Sequence, residues 1–378
     1  MMASSRRWRA AAAAVTTAAM LANATFAQTW SSCNPLYTTT CPANTALGMN
    51  VDVEFTNGGV NSFVASGGIP TYGADGAIFT VAKSGDAPQL TSVFYIMFGR
   101  VEVTMKSAPG AGIVSSLVLQ SDDLDEIDME WLGADSTEVQ TNYFGKGQTG
   151  SFNRGQFNPA ANNQGQFIKY TIDWTADRIM WYVDGTAVRT LTFNDAAGQY
   201  PQTPMQIKFG AWSGGDPSNP SGTIEWARGP TDYSKGPFSM SVKSVVVSDY
   251  STGKSYTYGD TSGTWQSIKS DGGTINGNLG KAGSVTVTAS ASAVTSLSPS
   301  IPAGGIGRGA NSATLTQTGW PWVATGTPSN GGSTIPSGWV MTPEGKIVPA
   351  SSSIVKPPQP ILLLIGSVVL GLFAVGWC

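Results

Sequence analysis

YTIDWTADRIMWYVDGTAVRTL, residues 170–191, reads as a run of β-strands. Tyr170, Ile172 and Trp174 alternate with other residues, a period of two that gathers them on one face of a strand. The second half is two apolar-rich runs joined by Asp184-Gly185, and an Asp-Gly pair in that setting signals a tight hairpin. The same period continues outward in both directions. In 101–106, Val101, Val103 and Met105 oppose Glu102, Thr104 and Lys106. In 205–212, Met205, Ile207 and Phe209 oppose Gln206, Lys208 and Trp212, and SVKSVVVSDY (241–250) is a further strand. Between about residues 50 and 270 no amphipathic helix of twelve residues is visible. Short strands punctuated by turns predict an all-β jelly-roll sandwich, not a βαβ fold.

Composition narrows the chemistry. The chain has 378 residues, of which 12% are charged, with a formal net charge of −3. No basic patch of the kind nucleic acid requires stands out. Histidine is absent. That excludes Ser-His-Asp triads, Cys-His dyads and His-ligated metal within the chain.

Both ends read as processing signals. Arg6, Arg7 and Arg9 precede the apolar run 10–21, and Thr25-Phe26-Ala27 suits cleavage, so residues 1–27 are read as a signal peptide. The last stretch, ILLLIGSVVLGLFAVGWC (361–378), carries no charge and no basic residues follow it. Small residues Ala350-Ser351-Ser352 and a Pro-rich spacer precede it, the order of a GPI-attachment signal over 351–378 that is removed. A membrane-spanning helix is the alternative. Residues 271–350, rich in Gly, Ser, Thr, Ala and Pro, read as a disordered stalk, which leaves 28–270 as the main folded domain. Cys33 and Cys41 are expected to form a short-loop disulfide in an oxidising compartment, the alternative being two free thiols.

Within this framework DEIDMEWLG (125–133) is unusual, because it crowds four carboxylates into a chain with few charges. On a strand, Asp125, Ile127, Met129 and Trp131 point one way and Glu126, Asp128 and Glu130 the other. Like charges in a row destabilise a sheet. Glutamates four positions apart are ~13 Å apart at Cα, and side chains reaching inward bring their carboxyls to ~5 Å. That is the separation of retaining glycosidases, where one acid attacks the sugar and the other protonates the leaving group. Asp128, between them, can bond to one glutamate and bias which acid holds the proton. Residue chemistry alone leaves two alternatives open: a calcium loop built from Asp122, Asp123, Asp125, Glu126, Asp128 and Glu130, and a solvated acidic face.

The stretch E-I-D-M-E followed by W-L-G resembles the signature of glycoside hydrolase family 16. CNPLYTTTCPANTALG (33–48), GIVSSLVLQSDDLDEIDMEWLG (112–133), TNYFGKG (141–147), YTIDWT (170–175), WYVDG (181–185), AWSGGDPSNPSGTIEWARG (211–229) and TDYSKGPF (231–238) are similar to one branch of it, the fungal Crh-type chitin–glucan transglycosylases. The resemblance implies a concanavalin-like sandwich with a concave substrate cleft. It implies Glu126 as nucleophile, Asp128 as assisting carboxylate, Glu130 as general acid/base, and Trp226 as the aromatic flanking the cleaved sugar. Ile168 stands where relatives often have histidine, and no Cys-rich chitin-binding module precedes the domain.

Tyr143, Trp212 and Trp226 are candidate sugar platforms, since aromatic faces stack on pyranose rings. Gln120, Asn142, Lys146, Arg154, Lys208 and Arg228 are candidate hydrogen-bonding partners for sugar hydroxyls. Trp174 and Trp181, among apolar neighbours, are expected in the core. The expected partners are chitin, β-glucan and, through a GPI lipid, the outer face of the plasma membrane, at the fungal cell wall. No cofactor, metal or nucleic acid is expected. A β-glucan hydrolase with the same acids and a non-catalytic wall lectin are the rival functions.

Overall fold

The hairpin at Asp184-Gly185 forms as its sequence predicts. Arg178–Val183 and Thr186–Thr192 pair antiparallel, and the two turn residues have φ of 47° and 78°. Positive φ at both positions is the turn whose twist matches the flanking strands. The structure is a computed structural model that describes residues 31–148 and 153–281, and the backbone of three short strands beyond, Thr286–Ala289, Trp339–Met341 and Ile347–Pro349. The signal peptide, the tail and most of the stretch read as a stalk lie outside the described residues. Residues 333–378 form a separate unit, of which the described part is the antiparallel pair Trp339–Met341 and Ile347–Pro349.

Two antiparallel sheets carry the domain. One runs, in spatial order, Gln156–Pro159, Glu138–Phe144, Glu126–Leu132, Ile113–Ser121, Met205–Ser213, Gln89–Ser92 and Phe63–Ser66. The other runs Thr186–Thr192, Arg178–Val183, Ile168–Trp174, Gly99–Lys106, Phe238–Asp249 and Asn50–Glu54. Their inner faces meet in a single apolar core. Trp131 lies edge-on to Tyr170 with ring centroids 4.5 Å apart, and Phe209 packs against Phe55 and Phe79 at 5.8 and 5.9 Å. Trp174 and Trp181 are fully buried, as expected from their apolar neighbours. Among the described residues the one α-helix is the six-residue Ser221–Trp226.

The two sheets differ in their outer faces. Gly99–Lys106 alternates buried and half-buried residues, the pattern of a sheet with one wet side. Ile113–Ser121, Glu126–Leu132 and Met205–Ser213 are buried at every position. The outer face of the first sheet is therefore covered. There Val114, Val118, Leu132, Trp212, Ala87 and Ala227 form a second apolar cluster, with Trp226 packed on it.

Cys33 and Cys41 form a disulfide. The compositional boundary at 270 falls short of the packed domain. Asn278 donates to the backbone carbonyls of Gly48, Asp249 and Ser251, and Thr286–Ala289 pairs in parallel with Asn50–Glu54. A sequence rich in Gly and Ser still packs where one side chain satisfies three buried carbonyls.

Candidate active site

Strand register builds the site. Ile113–Ser121 and Glu126–Leu132 pair so that Gln120 opposes Glu126, Val118 opposes Asp128 and Ser116 opposes Glu130. On the other flank Asn142 opposes Asp128 and Gln140 opposes Glu130. Ile127, Met129 and Trp131 enter the core, so Glu126, Asp128 and Glu130 share the outer face. Asp125, on the core side at the strand's start, accepts hydrogen bonds from the backbone N–H of Lys146 and Gln202 and from Thr203 Oγ1. It shapes the connection and does not join the row of acids.

Each glutamate is held by a different donor. Gln120 Nε2 donates to Glu126 Oε2 at 2.8 Å, and Lys208 Nζ donates to Gln120 Oε1 at 2.9 Å. Ser116 Oγ donates to Glu130 Oε1 at 3.0 Å while accepting from Trp212 Nε1 at 3.1 Å. Trp226 stacks on Trp212 with centroids 6.0 Å apart, and its indole N–H donates to Gln140 Oε1 at 3.0 Å. The indole N–H of Trp181 reaches through from the opposite sheet to the backbone carbonyl of Asp128.

Glu126 and Asp128 are 0% exposed and Glu130 is 4% exposed, which overturns the alternative of a solvated acidic face. Taking a carboxylate out of water costs several kcal/mol, so a row of three is not there to stabilise the sheet. Burial, and then the repulsion of Asp128 and Glu130, push Glu126 well above the usual carboxylate range, against the pull of Lys208 and Gln120. Burial and then Asp128 do the same to Glu130, opposed by Ser116 and Trp212. Burial pushes Asp128 up to about 7, against the neighbouring Glu126 carboxyl and the charges of Arg189 and Arg154. Glu126 Oε1 and both Asp128 oxygens are buried without a hydrogen-bond donor among the described residues. The cluster thus holds protons at pH values where free carboxyls are ionised, and it titrates as a unit.

The other sequence candidates divide. Gln120, Asn142, Lys208, Trp212 and Trp226 lie on or over the face that bears the acids. Trp212 is fully buried against Trp226, so the half-buried Trp226 is the ring with surface to offer. Tyr143 is a correction: it opposes Ile127 and packs in the main core, because position 143 takes the other parity of its strand. Arg154 is stacked over Phe144 at 4.6 Å and bonds Gln199 Oε1 and the carbonyl of Gln148. Arg228 is paired with Asp135 and Glu138 at the sheet's edge and lies over Phe157. Lys146 donates to the carbonyl of Gly263.

Ser116, Gln140 and Arg189 were not singled out in the sequence. A signal for Ser116 existed. A hairpin that turns through 122–125 pairs positions whose numbers have a constant sum, so fixing Gln120 opposite Glu126 also fixes Ser116 opposite Glu130. Arg189 carried no local signal; it lies between Tyr143 and Trp181 and donates to the carbonyls of Thr141 and Arg154.

The buried acids make stability depend on pH. Asp125, Asp128 and Asp249 are each pushed to about 7 by burial, from 3.8. Between those values the folded protein binds more protons than the unfolded chain. Stability is therefore highest at the acid end of this window and falls as pH rises through it, levelling above about 7. The melting temperature is expected to fall by several degrees between about pH 5 and pH 8. A melting temperature that rises over that interval contradicts this.

Comparison with known proteins returns one family. Residues 50–228 match Glycosyl hydrolases family 16. The chain is 65% identical to Crh-like protein 4 of Botryotinia fuckeliana (strain B05.10) over 355 residues, 92% of this chain and 93% of that protein. It is 50% identical to Congo red hypersensitive protein 1 of Saccharomyces cerevisiae (strain ATCC 204508 / S288c) over 252 residues, 66% of this chain and 50% of that one. Among solved structures it is similar to a Crh5 transglycosylase in complex with NAG, at 55% identity and a TM-score of 0.62, covering 63% of this chain and all of that one.

Proposed function

Because the chain belongs to glycosyl hydrolases family 16, as a Crh-like glycosidase/transglycosylase, we propose that it cleaves β-1,4-linked GlcNAc chains and transfers them to β-glucan or chitin acceptors in the fungal cell wall. The observation that carries the reading is the pair of unlike donors on the two glutamates, with Asp128 between them. The NAG bound to the similar Crh5 transglycosylase supports the choice of sugar.

Glu126 is the nucleophile. Its Oε2 is held by the Gln120 amide, which leaves Oε1 to attack the anomeric carbon as the C–O bond to the leaving sugar breaks. The departing oxygen takes the bond's electron pair and a proton from Glu130. Burial keeps that proton on Glu130 in the ground state, as a general acid requires. Asp128, raised by burial, keeps a proton through this step, so that Glu126 attacks as the carboxylate. In the second half Glu130, now ionised, takes the proton of an acceptor hydroxyl. Its oxygen attacks the same carbon and releases Glu126. Water in the acceptor's place gives hydrolysis.

Trp226, half-buried and braced by Trp212 and Gln140, offers the apolar ring that lets a sugar acceptor compete with water. The sequence reading of a signal peptide over 1–27, a stalk and a GPI-attachment signal over 351–378 supports a location outside the cell. The test is to incubate the protein with a labelled chitin oligomer and, separately, β-1,3-glucan, β-1,6-glucan or chitin acceptors, and weigh the products. Hybrid or lengthened chains are expected. Only shortened chains favour the β-glucan hydrolase or chitin-hydrolase alternatives, and no product change favours a lectin.

A further inference from the structure

Lys208 was read from the sequence as a sugar-binding residue, but its buried ammonium donates to Gln120 Oε1, and the amide of Gln120 in turn holds Glu126. It sits on Met205–Ser213, opposite Val118, one strand beyond the strand that pairs with the acids. Three groups run in line: Lys208 Nζ to Gln120 Oε1 at 2.9 Å, and Gln120 Nε2 to Glu126 Oε2 at 2.8 Å. We infer that Lys208 is a positioning residue that acts through the Gln120 amide to orient Glu126 and favour its ionised, attacking form.

The chemistry is that of a polarised amide. A cation on the carbonyl oxygen draws electron density from the nitrogen and makes its N–H a stronger donor, more so where water is excluded. The same cation fixes which way the amide points. With its oxygen bound to an ammonium, Gln120 can only present its nitrogen to Glu126, so a carboxylate is accepted there and a carboxylic acid O–H is not. The arrangement answers a problem the acid row creates. Asp128 and Glu130 both repel charge on Glu126, and burial adds to them; Lys208 is the positive charge that opposes all three at Glu126. Burial lowers Lys208 to about 8, and the charges of Glu126 and then Asp122 oppose that and help keep the ammonium charged. Arg154 and Arg189 act on Asp128 instead.

This deepens the proposed function and rests on Glu126 as nucleophile. The readout is the acidic limb of the kcat/KM profile on chitin oligomers, which reports the ionisation of the acid cluster in the free enzyme. Removing Lys208 removes support for charged Glu126, so protonation sets in at higher pH. Lys208→Met is expected to move the limb up by about one pH unit, a roughly tenfold loss on the acid side that shrinks toward the plateau. Gln120→Leu, which cuts the line with Lys208 intact, is expected to move it in the same direction. The double variant is expected to move it no further than the larger single change, since one path is cut twice. An unmoved limb in active Lys208→Met overturns the inference, and so do additive shifts in the double variant. If Lys208→Met does not fold, an unmoved limb in Gln120→Leu overturns it alone. Failure of the nucleophile assignment looks different: Glu126→Gln would then retain turnover at every pH.

Discussion

Glu126→Gln is expected to lower transfer and hydrolysis by on the order of 10⁴-fold or more, the scale of losing a nucleophile that works in concert with its neighbours. Glutamine has the shape of glutamate and still offers a carbonyl oxygen to the Gln120 amide. It lacks the charge that attacks carbon. The same change is expected to leave the protein as stable or more so. Burial and two neighbouring carboxylates oppose the charge at position 126, and a neutral side chain removes that opposition. Activity and melting temperature therefore move in different directions, which separates a catalytic defect from a folding defect. Near-normal turnover in this variant, on chitin oligomers with a glucan acceptor, would sink the assignment.

Glu130→Ala is expected to cost about 10² to 10⁴-fold on natural chains, the usual contribution of a general acid/base. The loss should depend on the leaving group. A substrate whose departing alcohol is already acidic needs no proton, so its first step should survive. The glycosyl-enzyme then waits for an acceptor that no base can activate. Azide, a nucleophile with no proton to lose, should resolve it and give the β-glycosyl azide, the configuration that two inversions produce. Alanine also leaves the Ser116 hydroxyl without its acceptor, at about 1–3 kcal/mol. Glu130→Gln, which keeps an acceptor there, serves as the control for stability. No azide product, or equal losses on good and poor leaving groups, would count against Glu130 as the acid/base.

Much of the domain was legible because strands write themselves locally. Alternation put Val101, Val103 and Met105 in the core, and Asp184-Gly185 made its turn. The row Glu126, Asp128, Glu130 stands on one face because a pleated backbone allows nothing else for alternate residues. Other readings failed where the answer depended on a partner strand. Tyr143 and Trp212 were both candidate sugar platforms, yet one faces the core and the other the acids. Arg228, just after the short helix, looked available to a sugar and is paired with Asp135 and Glu138, before and at the start of Glu138–Phe144.

By itself, then, the amino-acid order determined the period of each strand, the place of its turns and which acids share a side, since these follow from dihedrals and neighbours along the chain. Only the tertiary structure decided that the acid-bearing side is covered instead of wet. It also decided that Lys208 lies behind Gln120 and that Ser116 and Trp212 meet at Glu130. Those facts depend on register between strands 88 residues apart in the Lys208–Gln120 contact and 96 apart in the Trp212–Ser116 contact. Register is set by the simultaneous fit of two inner faces, which no local stretch of chain contains.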